Sequence, residues 1–235
     1  MTSTHTHSGP DVVGLWGPDH MTSGVDPVYM KTIVQKSADA IEAAWGNRQN
    51  TTAVYAESQF GEDWVYNIAD SLNLDRSLTI LQFLDPKGAS IATLNNFACH
   101  PTIMDGASDE VSADYLSSMY TSLDKNIGGV NFFLQGCIGG WVQPEYEART
   151  FESVDNRGQE LGRKITTALK NPIKLKSDGI NYKSSIIYLP VSNNNFKQLS
   201  QIGVIDRSIT DSVSTEVAWF SIGNAQFVTH PGEST

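Results

Sequence analysis

Residues 78–101 read LTILQFLDPKGASIATLNNFACHP. Two apolar, β-rich runs, Leu78 to Leu84 and Ser90 to Cys99, flank Asp85-Pro86-Lys87-Gly88. Proline and glycine in that order pre-set the backbone for a turn, so the stretch predicts a β-hairpin. Its second strand delivers His100 to a bend at Pro101. Upstream, Thr52 to Phe60 has a strand pattern, and Asp26-Pro27 opens a helix, with Asp26 as N-cap and Pro27 at the first helical position. Val28, Ile33, Val34, Ala38, Ile41, Ala44 and Trp45 follow at helical spacing until Gly46-Asn47 stop the run. Residues 11–24, Gly-rich and carrying Trp16 and Pro18, read as a long loop. The opening Thr2 to His7 is β-prone and meets Ser8-Gly9-Pro10, which predicts a strand running into that loop.

Downstream, Ser112 to Leu123 reads as a helix, and Val130 to Leu134 as a short buried strand ending at Gln135-Gly136. Phe151 to Leu169 is a second long amphipathic helix. Thr215 to Ile222 and Gln226 to Thr229 form a closing hairpin around Gly223-Asn224. The expected class is α/β, a mixed β-sheet core with flanking helices. A single domain over residues 1–235 is expected, because no Pro/Gly/Ser-rich or charged linker divides the chain.

Hydrophobic residues make up 40% of the chain, enough for a substantial core, and the formal net charge is −10. Such a field repels phosphate backbones and argues against a nucleic-acid partner, while leaving room for a neutral lipid or an apolar amide. No run approaches the ~18 apolar residues of a transmembrane helix, and the N-terminus lacks the basic and apolar regions of a secretory signal. Cys99 and Cys137 both lie in apolar surroundings and read as buried free thiols, with a disulfide between them as the alternative.

Of the five histidines, His5, His7, His100 and His230 sit where strand-like runs give way to turns, whereas His20 does not. On a strand, positions two apart face one side, so His5 and His7 are expected to share a pocket. Such a pair suits a zinc ligand beside an acid/base group; satisfied surface or core histidines have the same spacing. His100 fits a ligand at a strand end or a buried imidazole bonded to backbone. Glu233, after Pro231-Gly232, fits a ligand or a solvated turn carboxylate. The run Gln135 to Trp141 ends a strand in a glycine-rich turn, suited either to close backbone approach and oxyanion binding or to tight packing. It is not a nucleotide loop, since neither Gly-Lys-Ser/Thr nor GxGxxG occurs. His5, His7, His100 and Glu233 are expected to converge on one cleft at the ends of neighbouring strands.

In the order Thr4-His5-Thr6-His7-Ser8-Gly9-Pro10, Asn96-Phe97-Ala98-Cys99-His100-Pro101-Thr102, Gln135 to Trp141 and Pro231-Gly232-Glu233, these motifs resemble the neutral/alkaline, non-lysosomal ceramidase family. That family cleaves the amide bond of ceramide with one zinc ion, releasing sphingosine and a fatty acid. The resemblance implies that His5, His100 and Glu233 are zinc ligands and that His7 is catalytic, contacting substrate or reacting water. The implied substrate is ceramide or a related N-acyl lipid, compatible with peripheral membrane contact. The alternatives are another acyl ester or amide, or a non-catalytic metal- or lipid-binding relative. Against the family pattern, the chain is expected to be incomplete at both ends, and the family's fourth ligand, a tyrosine, lies beyond the Pro-Gly-Glu motif. The run Gly140-Trp141-Val142-Gln143-Pro144 lacks the family's serine, and Asp75-Arg76-Ser77 stands where an Asn-Arg-Ser substrate motif is sought.

Overall fold

The hairpin read from residues 78–101 forms the middle of the main sheet. A computed structural model describes residues 2–176 and 179–234. In chain order its elements are α1 (Pro27–Gly46), β1 (Thr52–Gln59), β2 (Val65–Asn67), β3 (Ser77–Leu84), β4 (Ser90–Phe97), α2 (Tyr115–Asn126), β5 (Val130–Gln135), β6 (Val142–Pro144), α3 (Phe151–Ala168), β7 (Ile173–Lys174), β8 (Ile180–Pro190), α4 (Asn194–Gln201), β9 (Ser212–Ile222) and β10 (Ala225–Thr229). The main sheet runs β5-β4-β3-β1-β7. Strand β3 pairs antiparallel with β4 and with β1. Strand β5 lies parallel to β4 after a crossover through α2. The sheet is therefore mixed and the class is α/β.

The parallel register sets Gln135 beside Phe97. Both strands thus end at one edge, where the amide of Gly136 donates to the Phe97 carbonyl at 3.0 Å. His100 and the glycine turn emerge together as a result.

One face of the sheet carries Leu78 and Ile80 of β3, Phe97 of β4 and Phe133 of β5 into the core. Helix α2 covers it with Tyr115, Leu116, Met119 and Leu123, and α3 with Val154, Leu161 and Ile165. Each helix starts at a polar cap: the Thr150 hydroxyl accepts from the Ser153 amide at 3.2 Å, and Asp114 accepts from the Tyr115 amide at 2.8 Å. The two helices cross closely because α3 has glycines on the facing stripe. A Cβ built on Gly158 meets the Tyr115 carbonyl oxygen at 2.1 Å, and one on Gly162 meets the Ser122 side chain at 2.6 Å.

Helix α1 forms as the sequence predicts, with Asp26 accepting from the Val28 and Tyr29 amides, yet none of its residues is buried and Val28, Val34, Ile41 and Trp45 are exposed. Its periodicity reports the helix without a covering surface. Residues 2–7 form no strand: contacts with a distant loop, described below, override their β propensity. The second helix begins at Tyr115 rather than Ser112, because Ser112 is engaged by residues 6 and 8. Strand β5 is an edge strand with Val130 and Phe132 exposed, not a buried one. Residues 170–214, without an element in the sequence reading, hold β7, β8 and α4. Strand β8 joins β9 and β10 in a separate antiparallel sheet. Cys99 is buried, but Cys137 is exposed, and both are free thiols.

Substituting Gly158→Ala forces α2 and α3 apart against a backbone oxygen. It is expected to lower stability by about 1–3 kcal/mol, read as a lower urea midpoint with an unchanged slope. Gly46→Ala, where an added Cβ meets nothing within 4 Å, is expected to leave the midpoint unchanged or raise it. Equal midpoints for the two variants would show that the helices do not pack as described.

Candidate metal centre

His100 is buried just beyond β4. Its amide donates to the Val142 carbonyl at 2.9 Å, and its ring Nδ1 lies 2.6 Å from the same oxygen. A carbonyl only accepts, so Nδ1 carries the proton and Nε2 is left with its lone pair. Metal-ligating histidines are held in this way, the far nitrogen donating to a backbone carbonyl. Burial pushes the His100 imidazole below its ordinary value, against the opposing pull of the Val142 carbonyl and Glu233. The ring is therefore neutral at pH 7 and available to a cation.

His5 and His7 reach His100 from a segment without regular structure. The Thr6 hydroxyl donates to the Ser112 carbonyl at 2.8 Å, and the Ser112 amide donates to the Ser8 carbonyl at 2.9 Å. His5 has φ 65°, a conformation uncommon outside glycine. The expected convergence of His5 and His7 is present, with ring centroids 5.4 Å apart, but a turned backbone produces it rather than strand alternation. The centroids of His5 and His7 lie 4.9 and 5.7 Å from that of His100.

Glu233 closes the group. Its Oε1 is 3.0 Å from His5 Nε2 and 3.8 Å from His100 Nε2. The adjoining Ser234 carbonyl accepts from the Gly139 amide at 2.8 Å, so the glycine turn docks the segment that carries Glu233. This turn is a packing device: an added Cβ at Gly136 meets Ala98 at 2.9 Å, and one at Gly140 meets the Asn67 side chain at 2.6 Å. The amide of Gly139, engaged by Ser234, is not free for an oxyanion.

Two donors on one tetrahedral zinc lie about 3.4 Å apart, given bonds of about 2.0–2.2 Å. The separations of 3.0 and 3.8 Å from Glu233 to His5 and His100 are of that order. Ring nitrogens of His5, His7 and His100 lie within 4.8 Å of one another, so these three imidazoles form a group that could hold a metal ion. His230 is exposed and outside this group, as is His20.

Two neighbours were not legible as site residues. Asp105 Oδ1 lies 3.4 Å from His7 Nδ1. The Trp141 ring lies nearly parallel to His100, at 18° with centroids 5.9 Å apart, and edge-on to His7 at 6.0 Å. The sequence signals were an aspartate soon after His100-Pro101 and an aromatic beside Gly140; neither gains meaning without the fold. Cys99 is buried, and burial pushes its thiol well up, which disfavours the reactive thiolate.

Among solved structures, a neutral ceramidase from Pseudomonas aeruginosa matches with a TM-score of 0.67 at 14% identity, over 84% of this chain and 42% of that one. A ceramidase complexed with C2 matches with a TM-score of 0.69 at 15% identity, over 97% of this chain and 49% of that one. The chain spans less than half the length of these ceramidases. The likeness establishes a shared fold, on which function has to be argued from the site. No protein-family model matches the sequence, and no curated protein matches it.

The loop that follows His100 is fixed from two sides. Arg149 donates to the carbonyls of Thr102, Ile103 and Asp105 at 3.2, 3.4 and 2.7 Å, and the buried Asp114 accepts from the Met104 amide at 2.8 Å. Substituting Arg149→Met removes a charged donor from carbonyls of two buried residues, Thr102 and Ile103. The expected cost is about 1–3 kcal/mol, measured by urea denaturation with the far-UV spectrum retained. No loss of stability would mean that the clamp does not hold the loop.

Proposed function

We propose that the chain is a zinc-dependent hydrolase that cleaves an amide bond. The observation that carries this reading is the approach of His5 Nε2 and His100 Nε2 to a single oxygen of Glu233, with His7 alongside. The fold shared with two ceramidases supports an amide as the bond cleaved, and by that likeness we assign an N-acyl lipid such as ceramide as the substrate class. His5, His100 and Glu233 hold the metal. Zinc held there supplies Lewis acidity that polarises an acyl carbonyl and makes water a better nucleophile at neutral pH.

The remaining chemistry belongs to the chain's own groups. Val142 fixes the ring of His100, and the Thr6–Ser112 contact fixes the segment of His5 and His7. His7 accepts a proton from the attacking water and returns it to the departing amine. Trp141 covers one side of His100 and His7 with an apolar ring.

A second reading, a non-catalytic metal-binding relative, is favoured by one observation: the Gly139 amide, a candidate oxyanion donor, is engaged by Ser234. A hydrolase of another acyl ester or amide differs from the leading reading only in substrate.

The purified chain is expected to hold about one zinc by elemental analysis, and His100→Ala to lose it. Hydrolysis of a fluorogenic N-acyl lipid is expected, abolished by a chelator and restored by zinc. In His7→Ala, turnover is expected to fall by roughly 10²–10⁴ with zinc content retained. Full zinc occupancy in His100→Ala would remove it from the ligand set, and loss of zinc in His7→Ala would make His7 a ligand. Faster turnover of a simple acyl ester would redirect the substrate class. Absence of chelator-sensitive hydrolysis of any amide or ester would leave the non-catalytic reading.

A further inference from the structure

We infer that Asp105 is the positioning residue for His7, an assignment that rests on the hydrolase reading above. Its Oδ1 lies 3.4 Å from His7 Nδ1. Contacts of this kind in a ligand-free site are often long and tighten when the reacting complex forms. What distinguishes the pair from a chance surface contact is how firmly both partners are held.

The Asp105 carbonyl accepts from Arg149 at 2.7 Å, and the neighbouring Met104 amide donates to Asp114 at 2.8 Å. Seven residues on, Ser112 receives the Thr6 hydroxyl and donates to Ser8. His7 is thus bracketed in sequence by two residues tied to the loop that presents Asp105. The Trp141 and His100 rings stand nearly perpendicular to its ring at centroid distances of 6.0 and 5.7 Å, which limits how the imidazole can turn.

Which imidazole nitrogen carries the proton is set by the partner of the other. A carboxylate on Nδ1 places the proton there and leaves the Nε2 lone pair for reacting water. In His100 a carbonyl 2.6 Å from Nδ1 fixes the proton in this way; the carboxylate stands farther from His7, at 3.4 Å. The two rings are then presented through the same nitrogen for different tasks: His100 to hold a cation, His7 to move a proton.

Two measurements test the assignment. Histidine side-chain ¹H–¹⁵N correlation spectra of the zinc-free protein identify His7 by the signal lost in His7→Gln. The wild type is expected to show His7 protonated at Nδ1. Asp105→Ala is expected to shift His7 toward the Nε2-protonated tautomer, and Asp105→Asn, which keeps an acceptor oxygen, to retain the wild-type tautomer. In steady-state hydrolysis of the fluorogenic N-acyl lipid, Asp105→Ala is expected to lower kcat roughly 10–100-fold, the usual range for such a partner, with KM within about twofold and zinc content unchanged. Asp105→Asn is expected to fall between the two. An unchanged His7 tautomer in Asp105→Ala overturns the assignment, as does a variant that loses zinc together with rate. If the wild type shows no chelator-sensitive turnover, the hydrolase reading fails by itself, and the spectra still decide whether Asp105 positions His7.

Discussion

One backbone oxygen organises the candidate centre. The Val142 carbonyl receives both the amide and the ring proton of His100, and so joins the end of β4 to the start of β6. That oxygen is in turn placed by a small assembly. Strand β6 pairs with β2, setting Asn67 opposite Val142, and the buried Asn67 side chain donates to the Asn73 and Gly139 carbonyls while accepting from the Ala69 and Asp70 amides. The aim of His100, the tilt of Trp141 over it and the docking of Ser234 on Gly139 all depend on one three-residue strand pair and one asparagine. A buried amide with this many partners is costly to disturb, so positional precision at the site comes from buried polar contacts.

Apolar patterning and apolar burial come apart in this chain. The α2–α3 layer converts its periodicity into a packed core, down to glycines where the helices touch. Helix α1 carries Val34, Ile41 and Trp45 along one side and exposes them, and strand β8 carries Ile180, Tyr182, Ile186 and Tyr188 on one face and exposes those too. Periodicity records how a segment is built to be read by a neighbour; it does not record whether the neighbour is present.

The legibility of the sequence follows the same division. The hairpin of β3 and β4 was legible because alternation, turn residues and tertiary pairing agree over residues 77–97. Helix α1 was legible from Asp26 and Pro27 because capping is a local event. Residues 2–7 were misread as a strand because their conformation is dictated by Ser112, more than a hundred positions away. Strand β8 was not read because Lys183, Ser184 and Ser185 interrupt its apolar alternation. At the site, His5, His7, His100 and Glu233 could be singled out by residue type and by position at turns, and the structure brings the four together. Asp105 and Trp141 carried no such mark: an aspartate in a polar loop and an aromatic after glycines acquire a place only when β4 and β5 end side by side.

The contact between His5 and Glu233 joins two residues more than two hundred positions apart in sequence. An ion shared by them and by His100 would act as a cross-link, with an effect that extends to the unfolded chain. Tying residues 5 and 233 closes a loop of roughly 230 residues, and chain entropy assigns about 5 kcal/mol to a covalent closure of that length. A labile bond captures only part of this, yet the sign is fixed. An ion held at this centre would tie residues 5 and 233 together, so occupancy and resistance to unfolding would rise and fall as one.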